Sequence, residues 1–191
     1  LRSQINPHFL LNTLNNIYAL TAMDTYRAQN AIQKLSKMLR HMLYDNMLDS
    51  VNLQDEIQFL ENYVNLMKIR LPNSVDVSFK KIVPDADIKV APLIFISLIE
   101  NAFKHGVSLT EPSFISILIK ADIPQNGGGK QLVCSIENSY FPKPEQDRSG
   151  HGIGLEQVQR RLDLLYHDRY VWEKGTGPDG RTYFSKITIQ L

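Results

Sequence analysis

At "LPNS", Leu71 to Ser74, the spacing of apolar residues changes. Upstream they recur every three or four positions; downstream they largely alternate with polar ones. The first period belongs to helices and the second to strands, so the chain must change architecture here. Three helical stripes are predicted before the break. Leu10, Leu14, Ile17 and Thr21 form the first, with Leu11 and Tyr18 beside them; Ile32, Leu35, Leu39 and Met42 form the second. Leu53, Ile57, Leu60, Val64, Met67 and Leu71 form the third, heptad-like but too short to establish a coiled coil. Asn52 reads as its N-cap, with Asp55 and Glu56 in the first turn.

Beyond the break, "VDVSFKKI" alternates like a strand. Pro92 is expected to open a helix that runs to about His105, and Gly106 to end it. "FISILIKADI" and "KQLVCSIEN" are β-rich runs joined by "PQNGGGK", a hairpin signal. A loop rich in Pro, Gly and charge follows, then a helix, "LEQVQRRLDLLYH", and two final strands around a Gly-Asp-Gly turn. The predicted class is α+β: residues 1–72 helical, and residues 73–191 an α/β sandwich with one sheet backed by helices.

Charge narrows the partners. Among 191 residues, 21 Lys and Arg face 20 Asp and Glu, a net +1, which gives no reason to expect nucleic acid or an anionic membrane as ligand. The single cysteine, Cys134, rules out an intramolecular disulfide and suits a reducing, cytoplasmic setting. The longest apolar run, "VAPLIFISLI", falls short of the roughly 20 residues that span a bilayer, so this stretch is not expected to cross one. Because the chain opens on Leu1 inside an apolar helical stretch, it reads as a piece of a longer protein.

Two segments carry chemistry. "LIENAFKHG" places Glu100, Asn101, Lys104 and His105 on a helix, with Asn101 and Lys104 three apart on one face. A carboxamide oxygen is a hard ligand suited to Mg²⁺, and Lys104 suits a phosphate oxygen. "SGHGIGL" offers Gly150, Gly152 and Gly154, which let backbone approach phosphates, ahead of a helix whose positive end points at them. His41, His151 and His167 have no ligand spacing with one another or with Cys134, so they read as surface or packing residues and no zinc site is expected.

Together these two segments resemble the N-box and G-box of the GHKL (Bergerat) ATPase superfamily. "LRSQINPHFLLNTLNNI" resembles the phosphoacceptor box of LytS/YehU-type sensor histidine kinases, and "LQDEIQFLENYVNLMKIRL" their connecting segment. The resemblance covers nearly the whole chain with the motifs in family order. It implies a kinase core in which residues 1–72 form the dimerisation and phosphoacceptor region and residues 73–191 bind ATP and Mg²⁺. His8 would be phosphorylated and Asn101 would bind the metal, with Glu100 orienting water or metal. Lys104 and His105 would lie near the phosphates, and Gly150, Gly152, Ile153, Gly154 and Leu155 would shape the nucleotide loop, with a lid at Phe141 to Ser149. The family's adenine-reading acid falls in "IENS", at Glu137 or Asn138. The implied partners are a second copy of the chain and a response regulator's receiver domain. The implied location is the cytoplasmic side of an inner-membrane sensor.

Two departures matter. Ser139 stands where the family has glycine, and Phe9 stands where larger histidine kinase groups place an acid. They motivate one alternative, a nucleotide-binding scaffold that no longer transfers phosphate; a second is a GHKL ATPase that acts on water through Glu100. The proton acceptor for His8 stays open among Gln4, Asn12 and Glu100. Pro7 itself permits two geometries. Either Asn6 acts as cap with Pro7 first in the helix, or Pro7 bends a continuous helix. Both keep His8 away from the Leu10/Leu14/Ile17 stripe.

Overall fold

Three helices account for the residues before the change of period: α1 (Pro7–Thr21), α2 (Thr25–Tyr44) and α3 (Leu53–Lys68). The computed structural model describes residues 7–44, 48–84, 87–122, 129–141 and 153–191. Pro7 is the first residue of α1, where its fixed φ and missing N–H cost nothing. Asn6 and Gln4 lie outside the described residues.

The buried line of α1 differs from the predicted stripe. Phe9, Thr13 and Ile17 are buried, while Leu11, Leu14 and Tyr18 are 62%, 46% and 80% exposed. Two apolar lines share this helix, and the one carrying Phe9 turns inward because its ring stacks on Tyr63 of α3, centroids 4.9 Å apart. Such a pair contributes about 1 kcal/mol beyond the area it buries. The buried line of α2 is Ala28, Ala31, Leu35, Met38 and His41, with Ile32 half exposed. Small alanines permit close approach between helices, a preference that counting large apolar residues misses. Asp24 caps α2 by accepting the Arg27 amide at 2.9 Å, and Asn52 caps α3 by accepting the Gln54 amide at 2.9 Å.

A short two-stranded pairing completes this helical unit. β1 (Val51–Asn52) runs antiparallel to β3 (Lys89–Val90), with Val51 opposite Val90. The Leu53 amide donates to the Ile88 carbonyl at 2.7 Å, and Asn52 Nδ2 donates to Asp87 Oδ1 at 3.0 Å. These bonds strap residues 87–93 to α3. The chain therefore divides into Leu1–Leu71 with Asp87–Leu93, and Pro72–Ala86 with Ile94–Leu191, rather than at one cut after Pro72.

The second unit is built on β2 (Val75–Ile82), α4 (Ile96–His105), β4 (Ser113–Asp122), β5 (Gln131–Ser139), α5 (Ile153–Leu165), β6 (Tyr170–Thr176) and β7 (Thr182–Gln190). The sheet order is β2-β4-β5-β7-β6, parallel between β2 and β4 and antiparallel elsewhere. The antiparallel pairing of β4 with β5 is the one the hairpin signal requires; residues 123–128 between them lie outside the described residues. Alternation buries one face: Ile115, Ile117 and Ile119 of β4 align with Asn138, Ile136 and Cys134 of β5, and Cys134 aligns with Ile187 of β7. Cys134 is fully buried, an apolar core residue. α4 packs on β4 and β5 and against α5. It begins at Ile96 rather than Pro92, because Leu93 holds a left-handed backbone, φ 57°, that no helix contains. Gly106 ends it as expected, its amide reaching the Ala102 carbonyl at 2.7 Å. Among the described residues no helix is long and apolar enough to cross a membrane.

Candidate functional site

α4 has a buried side that holds it to the sheet and a polar edge that stays accessible. Leu98, Ile99, Ala102 and Phe103 are buried, whereas Glu100 and Asn101 are partly exposed and Lys104 is exposed. At helical spacing Ser97, Glu100, Asn101 and Lys104 form the polar edge. His105 closes the helix, half exposed, beside Gly106.

Gly106 is small for a reason of contact. A Cβ there would lie 2.7 Å from the Ala102 carbonyl oxygen and 2.7 Å from both Cβ and Nδ2 of Asn138. The end of α4 thus sits directly on the end of β5. Gly106→Ala is expected to cost about 1–3 kcal/mol, read as a lower urea midpoint at unchanged slope.

The two candidate adenine readers lie on opposite faces of β5. Asn138 continues the buried phase of Leu132, Cys134 and Ile136, is 3% exposed, and donates from Nδ2 to the Ser139 carbonyl at 2.7 Å. Glu137 belongs to the other phase and is exposed, in register between Ser116 and Phe184. Ser139, the departure from glycine, works structurally, since its Oγ accepts the Phe114 amide at 2.8 Å and stitches the start of β4 to the end of β5. An aromatic pair that the motifs did not announce stands at the same end of the sheet. Tyr183 lies in register with Asn138, and its ring packs against Tyr140 with centroids 6.3 Å apart. Burial, helped by Tyr140, pushes the Tyr183 hydroxyl pKa up. Strand alternation is the signal that marks it.

Gly150 and Gly152, with His151 and the lid beyond Phe141, lie outside the described residues. Ile153 and Gly154 are the first two residues of α5, and Leu155 is the third, partly exposed. Glu100, Asn101, Lys104, His105, Asn138 and the start of α5 therefore all belong to one unit, on helices packed together or on the strand beneath them. His8 belongs to the helical unit, as the second residue of α1.

Burial pushes the Glu100 carboxyl above its usual range. Its folded pKa exceeds its unfolded one, so the ionised side chain costs stability at neutral pH, and the cost disappears as pH falls through the folded pKa. Glu100→Gln should therefore melt higher than the wild-type chain at neutral pH, with the gain shrinking in acid; parallel thermal melts across pH check this.

The family model for histidine kinases matches residues 1–75. Sensor protein LytS of Staphylococcus saprophyticus is 31% identical over 177 residues, covering 87% of this chain and 29% of that protein. Sensor histidine kinase BtsS of Escherichia coli K12 is 30% identical over 193 residues, covering 100% of this chain and 32% of that protein. Over most of its length the chain is similar to sensor histidine kinases of the LytS and BtsS kind. It spans about a third of the length of the curated relatives it matches. The fold agrees: the histidine kinase domain of Erythrobacter litoralis EL346 aligns over 96% of this chain and 95% of its own length, TM-score 0.51 at 14% identity. Full-length ShkA, solved with AMPPNP, aligns over 84% of this chain and 35% of its own, TM-score 0.50 at 15% identity. At these identities the likeness is one of fold.

Proposed function

We propose that this chain is the catalytic core of a sensor histidine kinase: it binds Mg²⁺-ATP, transfers the γ-phosphoryl group to His8, and passes it to an aspartate of a response regulator's receiver domain. The observation that carries this reading is that α4, with its polar edge, packs against both α5 and β5, the strand that carries the buried Asn138, in a chain whose first helix starts at Pro7-His8. ShkA, a protein of similar fold, was solved in complex with AMPPNP, which supports nucleotide binding by this chain.

Each residue then has a role. Asn138 accepts from the adenine amino group through its carboxamide oxygen, which a side chain on the helix-facing side of β5 can offer and Glu137, on the other face, cannot. Tyr183 and Tyr140 wall the base on the same side. Asn101 and Glu100 supply the hard oxygen donors that suit Mg²⁺, which when bound neutralises charge on the phosphates. Lys104, exposed at the edge of α4, meets a phosphate oxygen, and the amides that open α5 at Ile153 to Leu155 complete the anion site with Gly150 and Gly152. Phosphoryl transfer needs in-line positioning and charge stabilisation more than covalent help, so these groups suffice once His8 is presented.

The exposed apolar line Leu11, Leu14 and Tyr18 on α1, with Ile32 and Leu43 on α2, favours a second copy as its cover. The whole protein is then a homodimeric sensor, with this part in the cytoplasm and the sensing part at the membrane. One incubation with γ-labelled ATP and Mg²⁺ separates the readings. An alkali-stable, acid-labile label on the chain supports the kinase; nucleotide binding without label supports a scaffold. Steady phosphate release unaffected by His8→Gln supports a water-directed ATPase.

A further inference from the structure

Glu56 is fully buried, at 0% exposure, in the first turn of α3. It sits one turn from Leu53 and one turn from Leu60, within the apolar stripe, where a charged side chain has no place unless partners hold it. Its Oε2 accepts two hydrogen bonds. One comes from His41 Nε2 on α2 at 3.0 Å, the other from the backbone amide of Leu93 at 3.1 Å. A carboxylate only accepts, so Nε2 is the nitrogen of His41 that carries a proton in this contact. His41 is itself buried, at 7% exposure, and its ring stacks on Phe59 at 4.6 Å. The positive end of α3 and the two donors stabilise the buried carboxylate.

The third partner is what gives the pair a role beyond packing. Leu93 is a buried leucine in left-handed backbone, φ 57°, a conformation that a non-glycine residue keeps only when its surroundings impose it. It is also the last residue of the strap 87–93, after which the chain leaves the helical unit at Ile94 and, two residues on, enters α4. The β1–β3 pairing holds the strap's other end. We infer that Glu56 is a positioning residue: through His41 it reads the packing of α2 on α3, and through the Leu93 amide it sets the backbone that leads into the helix carrying Glu100 and Asn101. In this role it belongs to the helical unit and acts only through Leu93. A change in α2 packing that moves His41 then alters the lead-in to α4. This inference rests on the kinase reading for its consequence, but not for its structural part.

The test uses the whole chain in two variants. His41→Gln keeps an N–H donor for Glu56. His41→Phe combined with Glu56→Met keeps the volume, removes the buried polar pair and leaves the Leu93 amide without its acceptor; apolar replacement of both members of a buried polar pair is often neutral for stability. Thermal melts, backbone hydrogen exchange, fluorescent-nucleotide affinity and the rate of label uptake from γ-labelled ATP are read on each. In the double variant, exchange at the amides of residues 93–98 should quicken at least tenfold while α1–α3 amides hold, and nucleotide affinity should stay within twofold. Label uptake should fall at least tenfold. His41→Gln should stay near wild type in all four. A role in stability alone gives the opposite pattern: the well-packed double variant regains wild-type exchange and labelling, which overturns the inference, as does failure of both variants to fold. If the wild-type chain takes up no label, the kinase reading falls instead, and exchange at residues 93–98 still decides the role of Glu56.

Discussion

His8→Gln should bind Mg²⁺-ATP with unchanged affinity and take up no phosphoryl group, a loss of more than about a thousandfold in label relative to wild type. The substitution removes the proposed nucleophilic nitrogen and leaves the sequence of the nucleotide unit unchanged: His8 lies in α1, while Asn101, Lys104 and Asn138 belong to the other unit. Filter-retained label, with nucleotide affinity measured alongside, reads the effect directly. Retained labelling of His8→Gln would place the acceptor elsewhere and remove the meaning of the Pro7-His8 start of α1. A carboxamide at position 8 in the first turn of a helix that begins at proline should not disturb folding, so the loss is attributable to chemistry.

Asn101→Ala should weaken Mg²⁺-dependent nucleotide binding by about a hundredfold, the usual scale for loss of a metal-ligating or metal-orienting group. Asn101 is partly exposed on the polar edge of α4, and the buried side of the same helix carries Leu98, Ala102 and Phe103. Truncation at Asn101 therefore leaves the core intact, and a circular dichroism melt should move little. Titration with nucleotide in the presence and absence of Mg²⁺ separates a metal role from a general one: the variant should respond less to the metal than wild type. Equal loss with and without metal would assign Asn101 to the nucleotide itself.

Much of this architecture is legible in the sequence, and the exceptions share a cause. The change of period at Leu71–Ser74 marks where helices give way to the sheet, and alternation along β4, β5 and β7 gives their faces. Even the opposite facing of Glu137 and Asn138 is legible, because Leu132, Cys134 and Ile136 share Asn138's phase. What escapes is set by contacts distant in sequence. The inward line of α1 is decided by the stack of Phe9 on Tyr63, 54 positions away. Proline favours a first helical position, which points to Pro92 as the start of α4, yet Leu93 is left-handed and its amide is bonded to Glu56, 37 residues earlier. Two-residue strands such as β1 and β3 carry no periodic signal at all. His41 reads from sequence as a surface or packing residue, and it packs; its partner Glu56 reads only as an acid suited to the start of a helix. The place of Glu56 between Leu53 and Leu60 is the sign in the sequence that it is buried.

If the chain is a histidine kinase, a phosphoryl group from ATP comes to rest on His8. Peptide mass spectrometry under alkaline conditions, after brief incubation of the wild-type chain with Mg²⁺-ATP, locates that group directly. The modification should sit on His8 within the peptide that contains Pro7 and Phe9, and it should vanish on mild acid treatment. A phosphoryl group on any other side chain, or an unmodified chain that nonetheless hydrolyses ATP, would contradict it.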